Sequence, residues 1–127
     1  MAYLLDTQII IWYYSQINKL PKNIIQIIDN DEIKKALSTI SLFEIVMKLN
    51  SGKMHMSITF DTLLTSIKNR KFEIIHISDD ILKCFLSLPP IHKEPFDKIL
   101  ISTAIIEKMI FITADEDIQQ YNIDWIW

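Results

Sequence analysis

The sequence predicts an α/β fold in which a mostly parallel, twisted sheet of four to five strands is flanked by helices. Short apolar runs alternate with amphipathic stretches along the chain, which is the order of strand–helix–strand units. Of the 127 residues, 50% are hydrophobic and 23% are charged, which is typical of a single globular domain over 1–127. The only glycine, Gly52, excludes a glycine-rich phosphate loop and a dinucleotide-binding fingerprint.

The first half of the chain predicts two strands that each lead into a helix, and two further helices. In order, they are a strand over 3–5, a helix over 7–15, a helix over 21–28, a strand over 36–40, a helix over 41–50 and a helix over 61–70. Pro21 favours the first position of its helix. Ser41 and Glu44 form a capping-box pattern, which predicts that the fifth element begins there.

The second half of the chain repeats this alternation. In order, the expected elements are a strand over 72–77, a helix over 78–88, a helix over 95–108, a strand over 109–113, a short helix over 116–121 and an edge strand over 123–127. Ser78 is a favoured helix cap. Three prolines between residues 88 and 95 predict a loop. Strands separated by helices in this way favour a parallel sheet covered on both faces.

The charge balance gives no general attraction to nucleic acid. The chain carries 13 basic and 16 acidic residues, a net charge of −3, and Arg70 is its only arginine. Any contact with a phosphate backbone must therefore come from local lysines or from bound cations. The lysines at 34, 35, 48, 53, 68 and 71 ordinarily form a solvated face, and any that border an acidic pocket could hold a backbone.

Nothing in the sequence indicates a membrane or an oxidising compartment. The apolar runs are shorter than the ~18 residues that span a bilayer. The first residues lack the basic leader of a secretory signal. Cys84 is the only cysteine, so no internal disulfide forms. We therefore expect a cytoplasmic protein with no membrane partner.

Four acidic residues fall where a parallel sheet would bring them together. Asp6 ends the first strand, and Asp115 lies two residues beyond the 110–113 run. Glu44 and Asp97 are expected in the first turns of their helices. Ligands of open parallel sheets bind beyond the carboxyl ends of the strands, so one pocket could hold all four side chains. Such an oxygen-only set favours Mg²⁺ or Mn²⁺, which can activate water against a phosphodiester.

Each of these acids also has a structural interpretation. Glu44 suits the end of a capping box, Asp97 suits the positive end of a helix dipole, and Asp115 suits the cap of the following helix. Asp6 is harder to explain in this way, because it lies between an apolar strand and an apolar helix, where an unpaired charge is costly. The functional interpretation therefore depends on the four acids together.

At these positions the chain resembles the PIN-domain nucleases, and more narrowly the VapC-type toxins of bacterial type II toxin–antitoxin pairs. The matching segments are Tyr3-Leu4-Leu5-Asp6-Thr7 with Trp12, Ser41-Leu42-Phe43-Glu44 with Lys48 and Gly52-Lys53, His92-Lys93-Glu94-Pro95-Phe96-Asp97-Lys98-Ile99-Leu100, Thr113-Ala114-Asp115, and Tyr121 with Trp127. The third segment is the most specific, because it is similar to the family's His-x-Asp-Pro-Phe-Asp stretch. Glu94 stands where relatives usually have aspartate, and Gln8 where many have histidine.

The resemblance implies a PIN-like domain that cleaves RNA endonucleolytically with Mg²⁺ or Mn²⁺. It also implies a homodimer and a cognate antitoxin that blocks the site. In this interpretation the metal-holding and catalytic residues are Asp6, Glu44, Asp97 and Asp115. Supporting roles are expected for Thr7 and Thr113, which would orient the carboxylates or a metal-bound water. They are also expected for Asp117 as a competitor of Asp115, and for His92 as a substrate contact or a loop residue. Contacts with the RNA backbone are expected for Lys48, Lys53, Lys93 and Lys98.

Two other interpretations remain open from the sequence. A receiver-like signalling domain is also doubly wound and binds Mg²⁺ at strand ends. It requires a phosphoacceptor aspartate after a central strand and a lysine after a late strand, and neither the 36–40 nor the 110–113 run supplies them. A binding module with a vestigial pocket would retain the same residues without catalysis.

Overall fold

The computed structural model describes all 127 residues and contains five strands, seven α-helices and one 3₁₀ turn. The strands are β1 (Ala2–Leu5), β2 (Lys34–Ser38), β3 (Glu73–Ile75), β4 (Ile110–Ile112) and β5 (Trp125–Ile126). The helices are α1 (Thr7–Ser15), α2 (Lys22–Asp29), α3 (Thr39–Asn50), α4 (Phe60–Asn69), α5 (Asp79–Ser87), α6 (Pro95–Ile106) and α7 (Glu116–Gln119), and the 3₁₀ turn is Ile17–Lys19. No helix is long and apolar enough to cross a membrane.

All five strands run parallel in the order β3-β2-β1-β4-β5. The predicted α/β class with a sheet of four to five strands is thus confirmed. β1 is central, and Leu4 pairs with Ala36 of β2 on one side and Phe111 of β4 on the other. This order differs from the 2-1-3-4-5 order of flavodoxin-like receivers, which argues against the signalling interpretation.

Both faces of the sheet are covered by apolar side chains. Successive residues of a strand point to opposite faces, and Leu4 and Leu5 of β1 accordingly lie in different core clusters. Leu5 packs with α1, α2 and α4 through residues such as Ile9 and Ile24. Leu4 packs with α6 and β4 through residues such as Leu100. The two layers leave the carboxyl edge of the sheet as the place where strand ends and helix starts meet.

The start of α3 differs from the sequence prediction by two residues. We expected the strand to continue to residue 40 and a capping box to begin at Ser41. Instead, Ser38 is the N-cap, and its hydroxyl oxygen accepts a hydrogen bond from the Ile40 amide at 3.1 Å. Ser41 is fully buried inside the helix. Glu44 therefore lies in the second turn of α3 and not at its cap, so its capping-box interpretation is wrong.

Helix α6 also ends earlier than the sequence predicts. It stops at Ile106, because Lys108 adopts a left-handed conformation with a φ of 54°. The Met109 amide then donates to the Ala104 carbonyl oxygen at 2.9 Å. This bond supplies a partner to one of the carbonyl groups left free at the C-terminus of the helix. The turn directs the chain into β4, which lies beside β1.

Candidate active site

The four predicted acids line one pocket at the carboxyl edge of the sheet. The pocket has a volume of about 320 Å³. It is lined by Asp6, Thr7, Gln8, Trp12, Glu44, Lys48, Asp97, Ala114 and Asp115. The sheet topology brings these residues together although they are spread over 110 positions of sequence, as the arrangement of strand ends predicts.

Asp6 is the most deeply buried of the four acids. Its residue is 6% exposed, and its side chain makes no capping contact with α1. Thr113 donates its hydroxyl to Asp6 Oδ2 at 2.8 Å, a contact of the kind expected for its supporting role. Burial raises the pKa of Asp6 to about 6, against the lowering effect of the hydrogen bonds from Thr113 and the Thr7 backbone. The nearby charges of Asp115 and Glu44 raise it further.

Thr7 lines the pocket, and its hydroxyl contacts a neighbouring helix. Its hydroxyl donates to Ser41 Oγ at 2.9 Å and not to a carboxylate. Both residues are buried, so this bond fixes the start of α1 against α3. Only the backbone of Thr7 reaches the Asp6 side chain. The supporting role expected for Thr7, orienting the carboxylates or a metal-bound water, stays a prediction.

Glu44 enters the pocket from the second turn of α3. Its Oε2 lies 3.2 Å from Lys48 Nζ, one helical turn further along. Its Oε1 is buried and has no hydrogen-bond partner. A buried carboxylate oxygen without a donor is costly, so this atom requires a cation or a water molecule in the pocket.

Asp97 lies in the first turn of α6, where Glu94 is the N-cap. Partial burial raises the pKa of Asp97 to about 7, and the negative charge of Asp6 adds to this effect. His92 acts in the opposite direction, while Glu44 and Asp115 raise the pKa slightly further. The high pKa shows that this group of carboxyls does not ionise fully at neutral pH without added positive charge.

His92 connects two of the acids. Its Nε2 lies 2.8 Å from Asp97 Oδ2 and donates to Asp115 Oδ2 at 3.3 Å. The Glu94 amide donates to His92 Nδ1 at 3.2 Å, so the hydrogen of the neutral ring belongs on Nε2, facing the carboxylates. The sequence placed His92 only near Asp97. Its bridge to Asp115 depends on the path of the loop, which no local pattern predicts.

The loop that carries His92 is attached to the C-terminal part of the chain by Tyr121. The Tyr121 hydroxyl donates to the Pro89 carbonyl oxygen at 3.0 Å and accepts from the His92 amide at 2.8 Å. Tyr121 is 4% exposed, and its ring is part of the core. A single buried side chain thus fixes the height of the loop above the pocket.

Asp115 both caps a helix and lines the pocket, the two interpretations that the sequence left open for it. Its Oδ1 caps α7 by accepting from the Asp117 and Ile118 amides at 2.8 and 3.3 Å. Its Oδ2 is left to face His92. Asp117 is exposed and does not line the acidic pocket, although a carboxylate oxygen of Asp117 lies within 4.8 Å of ligand atoms of His92 and Asp115.

The predicted lysines lie in different surroundings. Lys48 lines the acidic pocket, and Lys53 lines a neighbouring cavity. Lys98 Nζ lies 4.4 Å from the centre of the Phe85 ring, and neither Lys98 nor the exposed Lys93 lines the acidic pocket. Sequence reasoning missed the pocket position of Gln8, which lies two residues after Asp6 in the first turn of α1.

The donor set fits a divalent metal of the Mg²⁺ or Mn²⁺ type. It consists of carboxylates alone, which are the oxygen donors these hard cations prefer. The unpartnered Glu44 Oε1 and the raised pKa values of Asp6 and Asp97 both show a pocket with too little positive charge. A bound divalent cation would correct both.

The fold and the site together define a class of protein: an all-parallel α/β domain with carboxylates gathered at one edge of the sheet. The sequence model of the PIN-domain family matches residues 3–124, so the chain belongs to that family. No curated protein matches it.

Solved structures with the same fold include chains from three bacterial proteins or complexes. One is VapBC2 from Rickettsia felis bound to a DNA fragment from its promoter, with 23% identity, a TM-score of 0.70 and coverage of 99% of this chain and 98% of that chain. Another is a toxin–antitoxin complex from Klebsiella pneumoniae, with 21% identity, a TM-score of 0.68 and coverage of 98% and 96%. A third is FitAcB from Neisseria gonorrhoeae, with 15% identity, a TM-score of 0.64 and coverage of 98% and 96%.

Proposed function

We propose that this protein is a metal-dependent endoribonuclease and the VapC-type toxin of a type II toxin–antitoxin pair. The observation that carries the proposal is the convergence of Asp6, Glu44, Asp97 and Asp115 on one pocket in a PIN domain. The chains of similar fold come from toxin–antitoxin complexes, which supports the toxin assignment.

The four carboxylates would hold Mg²⁺ or Mn²⁺, and the supporting residues would fix their orientation. When bound, the cation supplies positive charge that lowers the pKa of water and offsets charge on the phosphodiester. Thr113 holds the Asp6 carboxylate by its hydroxyl, and His92 Nε2 holds Asp115 and lies against Asp97. These fixed groups need little rearrangement during the reaction, which is the main advantage of such a site.

Lys48 would contact the substrate from the wall of the pocket. Its ammonium lies 3.2 Å from Glu44 Oε2, so it is already placed among the carboxylates. A phosphate entering the pocket would meet this cation along with the metal. Lys48 therefore lowers the repulsion between the acids and the backbone of the RNA.

The variant Asp97→Asn tests the proposed activity. Purified wild-type protein should cleave RNA in Mg²⁺ or Mn²⁺ and not in EDTA, and Asp97→Asn should be inactive with an unchanged circular dichroism spectrum. Asp124→Asn is the matched control, because Asp124 is exposed and outside the acidic pocket. Full cleavage by Asp97→Asn would refute the assignment. Failure of the wild type to bind Mn²⁺ by calorimetry would favour the vestigial binding module.

The proposal includes a cognate antitoxin and a homodimer. Apolar side chains remain exposed on α3, where Phe43, Val46 and Met47 are 52%, 40% and 43% exposed, and on α5, where Leu86 is 86% exposed. Exposed apolar groups of this kind suit contacts with protein partners. Co-expression with the small neighbouring reading frame should yield a complex without ribonuclease activity, and light scattering of the free protein should give the mass of a dimer. A monomeric free protein would refute the second expectation.

A further inference from the structure

A second cavity of about 490 Å³ lies beside the acidic pocket and shares Gln8, Trp12 and Lys48 with it. Helix α1 and the 3₁₀ turn after it form one wall, and the loop between α3 and α4 forms the other. The Ser57 hydroxyl donates to the Tyr14 carbonyl oxygen at 3.2 Å, which attaches this loop to α1. The cavity is therefore built by the fold and opens directly next to the carboxylates.

The two cavities differ in charge. Four carboxylates line the acidic pocket, whereas none of the 11 residues around the second cavity is Asp or Glu. Three of those 11 are lysines: Lys19, Lys48 and Lys53. Lys48 is paired with Glu44, but Lys19 and Lys53 form no ion pair. Lys19 Nζ lies 5.7 Å from the centre of the Trp12 ring, and this cation–π contact keeps the ammonium at the cavity wall.

We propose that this second cavity, the lysine groove, binds the phosphodiester backbone of single-stranded RNA beside the bond that lies in the acidic pocket. The inference rests on the proposed ribonuclease function. The four carboxylates repel every phosphate next to the reacting one. Unpaired lysines beside the acidic pocket offset this repulsion. The groove volume falls within the ~300–1,000 Å³ of small-ligand pockets, so it suits a unit of a flexible strand and not a rigid duplex.

An acidic segment of a protein partner would satisfy the same charges. The position of the groove favours RNA, because a strand with one phosphate in the acidic pocket must continue across its rim. The shared wall of Gln8, Trp12 and Lys48 is the part of that rim where the lining changes from acidic to basic. The next phosphates of the strand would thus pass from Lys48 to Lys19 and Lys53.

Binding of a labelled eight-nucleotide single-stranded RNA, followed by fluorescence anisotropy in EDTA, tests the groove without catalysis. The variant Lys19→Gln/Lys53→Gln is compared with Lys34→Gln/Lys83→Gln, which removes two exposed lysines away from the groove. Each phosphate contact contributes about 0.7 to the slope of log K against log salt for single strands, so the groove variant should lose about 1.4 of that slope. An unchanged slope, or an equal loss in the control, would overturn the proposal and would leave a protein segment as the occupant to test.

Cleavage in Mn²⁺ separates this inference from the proposed function. The groove variant should raise KM for the eight-nucleotide RNA and leave cleavage of a dinucleoside monophosphate unchanged, since that substrate has only the one phosphate that lies in the acidic pocket. An equal rise in KM for both substrates would overturn the groove while the nuclease stands. Absence of all cleavage in the wild type, with the lysine-dependent salt slope retained, would refute the nuclease and support the groove as an RNA site.

Discussion

The Asp6→Asn substitution should stabilise the metal-free protein, and more so as the pH rises. The pKa of Asp6 is raised from 3.8 to about 6, mainly by burial. Between about pH 4 and about pH 6, the Asp6 carboxyl therefore keeps its proton in the folded state but has lost it in the unfolded chain. Since the folded state binds more protons in that window, the free energy of unfolding falls as the pH rises through it.

The size of the effect follows from the pKa shift. Two pKa units correspond to about 3 kcal/mol between pH 4 and pH 7 for Asp6 alone. Asn keeps the shape and a carbonyl oxygen that can accept from Thr113, but it carries no charge. Asp6→Asn should thus match the wild type near pH 4 and exceed its unfolding free energy by about 3 kcal/mol at pH 8. With a urea m-value of about 1–3 kcal/mol/M, the midpoint moves by roughly 1–3 M.

Urea unfolding in EDTA across this pH range measures the difference directly. Asp124→Asn, an exposed counterpart, should follow the wild type at every pH. Mn²⁺ should raise the stability of the wild type at pH 8, by about 2.7 kcal/mol at a hundred times its dissociation constant, and leave Asp6→Asn unaffected. A gap between Asp6→Asn and the wild type that stays constant or narrows with rising pH would show that burial does not perturb this carboxyl.

Two further substitutions test the groups that support the acids. Thr113→Val removes the donor to Asp6 and the acceptor of the Asp115 amide, so Mn²⁺ affinity measured by calorimetry should fall about 10- to 100-fold. Thr103 is the control, because its hydroxyl contacts only the Ile99 carbonyl oxygen in its own helix. Thr103→Val should bind Mn²⁺ as the wild type does, and an equal loss of Mn²⁺ affinity in both variants would mean a general packing effect. Tyr121→Phe should lower the unfolding free energy by about 1–3 kcal/mol and speed proteolysis within residues 88–94, because both loop hydrogen bonds of the hydroxyl are lost. Tyr3→Phe is the control and should change neither. Unaltered proteolysis of the loop in Tyr121→Phe would contradict the role of Tyr121 in holding it.

The sheet and the gathering of the acids were predictable because both follow from local patterns. Short apolar runs mark the strands, and parallel strands necessarily share a carboxyl edge, so acids such as Asp6 and Asp115 are expected to meet there. The start of α3 was not predictable in the same way. Thr39 and Ile40 are β-branched and extend the apparent strand, and two serines, Ser38 and Ser41, compete as the cap.

The contacts that orient the site could not be predicted, because they join residues far apart in sequence. Thr7 donates to Ser41 across 34 positions, and Tyr121 holds the His92 amide across 29. Neither pair shows a periodicity or a spacing motif. Hydroxyl partners of this kind depend on the angle at which two elements cross, and only the assembled structure defines that angle.

The hydrogen bond from Thr113 to Asp6 spans 107 positions and has a consequence for when the site comes into existence. Its donor follows β4, which must lie beside β1 before the Asp6 carboxylate is held. Closing so long a loop comes late in folding, after the local helices have formed. A chain still emerging from the ribosome therefore holds an incomplete set of carboxylates, and the full set assembles only after β4 and Asp115 have been released.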